Sequence, residues 1–263
     1  MKMPRAAGVN GSGAALAVIS LGSVLALWQI ATSGQNAHAL FPSPGRVAAA
    51  FVDVVQNGYL GAPLAASVAI SLQRLIIGWV LCLSIGVALG FAMHFNRIVR
   101  ESVLPWLAFY RPLPPLAYLS LLVLWLGVGE TSKVVLLVLA GLPPLIIGTY
   151  TSLAGVREER VQGARSIGLS PWQMVRLIYA PSVAPAVLVS ARIAFGACFA
   201  ALIGAEMIAS SSGVAWMIIA ATNRSAIDVV IVGVVIMAAI ALVFDYALRR
   251  AQQVLVPWAA HEQ

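Results

Sequence analysis

Five ionisable side chains fall within long apolar runs: Arg74, Arg111, Arg192, Glu206 and Asp245. A charge at the centre of a bilayer costs about 2.5–3.5 kcal/mol on insertion scales, so each of these must be paired, hydrated or put to use. Arg192 and Glu206 are fourteen residues apart. On a helix that puts them within ~40° of one face but ~21 Å apart along the axis, too far to pair. Arg74, Arg192 and Asp245 lie near the ends of their runs, where a side chain can reach the interface or bond a backbone carbonyl. Arg111 differs, because Pro105, Pro112, Pro114 and Pro115 surround it at a density that regular helix does not tolerate. Irregular backbone at membrane depth belongs where it is buried in protein or lines a cavity. Arg111, with Pro114 and Pro115, is therefore a candidate for meeting an anionic solute along a pathway or for bracing a broken helix. Glu206 would repel an anion, and on the same pathway it suits gating or a structural hydrogen bond.

Groups that drive catalysis are sparse. Cys82 and Cys198 sit inside apolar runs without C-x-x-C spacing, which reads as small buried side chains. His38, His94 and His261 are scattered without metal-ligand spacing. The stretch GVGETSK at 127–133 imitates a phosphate loop, but G-x-x-x-x-G-K-[ST] needs glycine before the lysine and a hydroxyl after it. Here Ser132 precedes Lys133 and Val134 follows. The reading is a non-catalytic chain with no cofactor or metal of its own. An intramembrane enzyme, the alternative from another class, would need a constellation that these residues do not supply.

So few polar groups imply an apolar scaffold. Of 263 residues 61% are apolar and only 10% charged, against about 25% charged in soluble domains, and the mean hydropathy is +0.94. The length accommodates about six spans of ~20 residues and no further soluble domain of ordinary size. The expectation is one all-α integral membrane domain over residues 1–263, with spans near 13–32, 68–93, 104–126, 133–154, 186–209 and 229–248. The first follows Lys2 and Arg5 but is too long for a signal-peptide core and ends at no A-x-A site, so it reads as a retained span. Between the first two spans, Ser43-Pro44 opens a helix whose stripe of Val47, Ala50, Phe51, Val54 and Val55 suits the interface. Gly86 and Gly90 form G-x-x-x-G, a face for close helix contact within one chain or between two. Most tryptophans fall near span ends as interfacial anchors.

The net charge of +7 forms no dense patch of the kind that binds nucleic acid. It is instead distributed by side. Alternating sides with each span, ten basic residues share the N-terminal side: Lys2, Arg5, Arg97, Arg100, Arg157, Arg160, Arg165, Arg176, Arg249 and Arg250. The opposite loops hold Arg46, Lys133 and Arg224. The positive-inside rule then puts both termini and the 155–185 segment in the cytoplasm. That segment is the chain's polar island. Arg157 to Ser166 reads as helix, Gly168 as a break, and Ser170-Pro171 as a capped restart. Pro181 and Pro185 are expected to interrupt the following helix before it enters the membrane. Two short helices joined at a glycine make a surface for docking, which a stand-alone carrier or channel would not need.

This arrangement resembles the EAA loop of ABC importer permeases, whose pattern is E-A-A, a glycine four residues after the second alanine, then I-x-L-P. The chain has Gln162-Gly163-Ala164, Gly168, and Ile178-Tyr179-Ala180-Pro181. Glutamate, the first alanine and the leucine are replaced. Likeness extends through FPSPGRV, YRPLPPLAYLSLLVLWLGVGETSK, GARSIGLSPWQM and GAEMIASSSGVAWMI, which resemble the nitrate/sulfonate/taurine branch and look closest to taurine permeases; Gly213-Val214-Ala215 departs from its usual G-L-G. The resemblance implies a type I importer permease fold of six transmembrane helices in the bacterial inner membrane. It also implies a second copy of the chain, two ATPase subunits that hold ATP and magnesium, and an extracytoplasmic solute-binding protein. The coupling loop would comprise Gln162, Gly163, Ala164, Ser166, Gly168, Leu169, Ser170 and Pro171. The implied cargo is taurine or a related alkanesulfonate, with nitrate or another small organic anion as the alternative within the branch.

Overall fold

A computed structural model describes residues 11–32 and 42–258, and among them it is helical throughout, with no strand. The helices are α1 (Gly11–Ala31), α2 (Pro44–Asn57), α3 (Leu64–Phe95), α4 (Arg97–Tyr110), α5 (Leu119–Leu126), α6 (Glu130–Ala154), α7 (Glu158–Ser166), α8 (Pro171–Met174), α9 (Ala180–Ala209), α10 (Val214–Thr222) and α11 (Ile227–Leu255). His38, His261, Lys2 and Arg5 fall outside the described residues.

Four helical stretches are long and apolar enough to cross a membrane: α3, α6, Pro171–Ala209 and α11. A fifth is the pair α4 and Pro115–Leu126, bent by 97°. Among the described residues four of the expected crossings are thus matched by continuous helices, and the expected 104–126 span falls on the bent pair. The 104–126 segment breaks where Pro112, Pro114 and Pro115 remove amide donors. The expected 13–32 span falls on α1, within which Gly22–Ala31 is described as an apolar helix.

Glycines set how the spans pack. A Cβ on Gly78, Gly86 or Gly90 would run into Leu137, Leu145 or Thr149 of α6. Both series step by eight and then four residues, so α3 and α6 lie parallel in close contact. The G-x-x-x-G face is therefore used inside the chain. Because α3 and α6 are parallel, the residues between them must return across the full thickness, and the bent pair is a broken span rather than a re-entrant loop. Against α6, α9 runs antiparallel: Gly148 faces Ser190, while Gly141 faces Cys198. Cys82 and Cys198 are both fully buried against Gly141, and the Cys198 thiol donates to the Leu137 carbonyl at 3.1 Å. Trp79 is not an interfacial anchor: it lies within α3 and its indole donates to Ala191 O at 3.0 Å.

The expected interruption at Pro181 and Pro185 is also corrected. From Pro171 to Ala209 the chain is one rod of 39 residues, with a π-helical turn at Val175–Tyr179. That wide turn lies immediately before Pro181, and the helix continues through both prolines. Pro185 has no N–H for the Pro181 carbonyl, four residues back, and the indole of Trp258 donates to that oxygen instead, at 3.3 Å.

Replacing Gly86 by Val should wedge α3 off Leu145, a loss of about 1–3 kcal/mol, and lower the thermal midpoint of the purified protein in detergent. Gly196→Ala, where a Cβ meets nothing within 4 Å, should leave the midpoint unchanged.

Candidate functional site

At the end of the bundle formed by the start of α3, the start of α6 and the end of α9, an ionic cluster joins a buried Arg74–Glu206 pair to Glu130, whose side chain is exposed. Arg74 is 2% exposed and Glu206 0%. Arg74 Nη1 donates to Glu206 Oε1 at 2.8 Å and to Ser212 O at 2.9 Å. Its Nε and Nη2 grip both oxygens of Glu130 at 2.5 and 2.7 Å, and Nη2 also reaches Ser212 Oγ at 3.0 Å. All five guanidinium donors are used. Glu206 accepts from Ser71 Oγ at 2.8 Å and from the Ala215 amide at 3.0 Å, and Val214 N donates to Ser71 Oγ at 2.9 Å. The carboxylate thereby caps the N-terminus of α10, where the helix dipole favours negative charge. Lys133 Nζ completes the set with Glu130 at 3.1 Å. Two positive and two negative charges cancel, so the cluster works as a lock between helices and offers no surplus charge to an anion.

Gly213 makes this approach possible. Its φ is +110°, and a Cβ there would fall on the Glu206 carboxylate. Arg74 was expected to snorkel or bind a carbonyl. The Ser212 carbonyl is indeed a partner, but the side chain is buried between two carboxylates. Arg192 and Asp245, also read as span-end residues, pair with one another at 2.6 Å, and Asp245 also meets Arg249 at 2.7 Å.

Of the candidate pathway residues, Glu206 is taken up by this cluster. Arg111 ends α4 with its side chain exposed, and Pro114 is exposed too. The Tyr110 hydroxyl donates to that of Tyr118 across the bend. Beyond Pro115, Leu116 packs over Gly204 of α9, two residues from Glu206 but outside its network.

At the other end of the bundle lies the polar island. Gly168 has φ +76°, a left-handed geometry that glycine adopts freely. Its amide and that of Leu169 close α7 by bonding Arg165 O and Ala164 O. Ser170 and Gln173 form a reciprocal capping box at the start of α8. Val161 and Ala164 face inward with Leu153, Met174, Tyr179 and Val183. Ile167 and Trp172 stand out on the surface, 76% and 70% exposed. Gln162, Gly163 and Ser166 lie exposed on α7.

The sequence from 81 to 260 matches the family described as binding-protein-dependent transport system inner membrane component. This chain is a permease subunit of that family. It is 33% identical to the taurine transport system permease protein TauC of Escherichia coli (strain K12), over 93% of this chain and 91% of TauC. The putative aliphatic sulfonates transport permease protein SsuC of Bacillus subtilis (strain 168) is 28% identical over 89% of this chain and 84% of its own. In fold the permease resembles the inward-facing MetNI methionine ABC transporter, with a TM-score of 0.62 at 15% identity, over 73% of this chain and 95% of that one. The permease belongs to the taurine, sulfonate and nitrate branch of ABC importers. It is a multi-pass inner-membrane component without catalysis of its own, and it works with separate ATPase subunits and a solute-binding protein.

Ser71, Glu130, Lys133, Ser212 and Gly213 were not legible as one site. The available signal was that Arg74 and Glu206 are charges of opposite sign inside apolar runs, each needing a partner. Arg74→Met should leave Glu206 buried without its counter-charge and cost roughly 3–5 kcal/mol, whereas Arg74→Met/Glu206→Met should recover most of that loss. Thermal unfolding of the three purified proteins measures it; equal midpoints for the single and double variants would refute the lock.

Proposed function

We propose that two copies of this permease form the path by which taurine or a related alkanesulfonate enters the cytoplasm. Two ATPase subunits holding ATP and magnesium dock on the 162–172 loop, and an extracytoplasmic protein delivers the solute at the Arg74–Glu206 end. The observation that carries this reading is the continuity of the Pro171–Ala209 rod. Its 39 residues extend ~58 Å at 1.5 Å per residue. One end follows Gly168 and bears the exposed Trp172; the other bears Glu206.

A stiff rod turns a displacement at the loop into a displacement of Glu206 relative to Arg74 and Glu130, which belong to other helices. With the lock closed, as in this structure, the three helices are held together at the outer end. Closure of the ATPase pair draws the loops together, tilts the rods and strains the lock, and the path opens outward. This is a rigid-body switch between discrete packings, and it requires no catalytic group in the permease. Leu116, just past the proline bend, packs on the same rod at Gly204, and in this reading the exposed Arg111 at the bend supplies a positive charge for an anionic solute. The cargo rests on the relationship to TauC across nearly the whole chain.

Gly168→Pro should distort the turn between α7 and α8 and reduce recovery of the ATPase with tagged permease at least tenfold, with Trp172→Asp acting in the same direction. Cells lacking the gene should lose uptake of radiolabelled taurine. Retained taurine uptake with lost nitrate uptake would reassign the cargo, and undiminished ATPase recovery in both variants would overturn the docking role.

A further inference from the structure

Two cavities meet beside the polar island. One, of ≈470 Å³, is lined by Arg157, Arg160, Ser152 and Ser182, along with the Gly155–Val156 turn. The other, of ≈440 Å³, shares Arg160 and Ser182 and continues along Leu177, Ile178, Pro181 and Trp258. The first is polar and carries two positive charges; the second is apolar. Joined at Arg160 and Ser182, they form one cleft with a cationic head and a greasy groove. It lies where α6 ends at Ala154 and the Pro171–Ala209 rod passes Pro181, with an indole at its edge as at a membrane interface.

We propose that this cleft binds an anionic phospholipid. The phosphate would lie between Arg157 and Arg160, with the serine hydroxyls of Ser152 and Ser182 alongside, and one acyl chain would follow Leu177, Ile178, Pro181 and Trp258. Basic pockets beside spanning helices on the cytoplasmic side are suited to such headgroups. Free phosphate would use the arginines alone, whereas the adjoining apolar groove is chemistry that only a lipid exploits. Glu158 and Glu159 open α7 beside the arginines, but neither lines either cavity, and Glu158 accepts from Gln162 at 3.4 Å. The cleft is walled by the first turn of α7 and by residues of the π-helical turn, so a bound lipid would brace the docking loop from its membrane side.

The inference rests on the cytoplasmic orientation proposed above, but lipid retention in detergent does not depend on sidedness, so the two readings fail separately. The test is native mass spectrometry of the full-length permease–ATPase complex with dioleoyl phosphatidylglycerol or dioleoyl phosphatidylcholine added. Phosphatidylglycerol should be retained by each permease chain at least fivefold better than phosphatidylcholine. Arg157→Gln/Arg160→Gln should abolish that preference. Arg157→Lys/Arg160→Lys, which keeps the charge, and Arg249→Gln/Arg250→Gln, which removes as much charge elsewhere, should preserve it. Trp258→Ser should weaken retention without loss of the assembled complex. Equal retention of the two lipids, an unchanged preference in Arg157→Gln/Arg160→Gln, or displacement of the lipid by millimolar inorganic phosphate would overturn the proposal.

Discussion

A buried arginine in an apolar bundle is the constraint from which the rest of this structure follows. Arg74 is taken out of water three turns into α3, and a charge so placed persists only if its donors and its charge are both met. Meeting them requires Glu206 from α9, Glu130 from the start of α6 and the Ser212 backbone before α10. The pair thus dictates which helix ends come together. Gly213 has no side chain because the Glu206 carboxylate occupies that space, and α10 starts where it does because that carboxylate receives the Ala215 amide while Ser71 receives that of Val214.

Glycine does for the apolar middle what the ion pair does for the Arg74 end. Lipid tails are as apolar as leucine, so burial alone gives spans little reason to associate, and close van der Waals fit has to supply it. Gly78, Gly86 and Gly90 let α6 approach α3, while Gly141 and Gly148 admit Cys198 and Ser190 of α9. α6 is thereby clasped on two sides.

The rod from Pro171 to Ala209 connects the two polar ends. Two prolines that ought to break it do not: a π-helical turn precedes Pro181, and a distant indole donates to the carbonyl that Pro185 leaves unmet. The turn at its start is closed by local hydrogen bonds from Gly168, Leu169 and the Ser170–Gln173 box. It leaves Ile167 and Trp172 uncovered, as a surface awaiting a partner would. Gln162, where the family pattern has glutamate, is exposed and bonded only to Glu158, so the shape of the loop does not depend on a charge at that position.

The sequence by itself determined what depends on near neighbours. Apolar runs, the polar island, the glycine break and the Ser170-Pro171 restart are all decided within about four residues, the reach of a helical turn. It also showed that the chain around Arg111 could not be regular helix, because proline acts on its own backbone. Tertiary structure alone decided which charges meet. Arg74 finds Glu206 132 residues away and Glu130 56 residues away, and nothing in their local sequence distinguishes a paired charge from one that snorkels. The same holds for Pro181, whose carbonyl is satisfied by Trp258 from 77 residues away. Helix breaking is a local rule, but the hydrogen bond that offsets it comes from wherever the fold brings a donor.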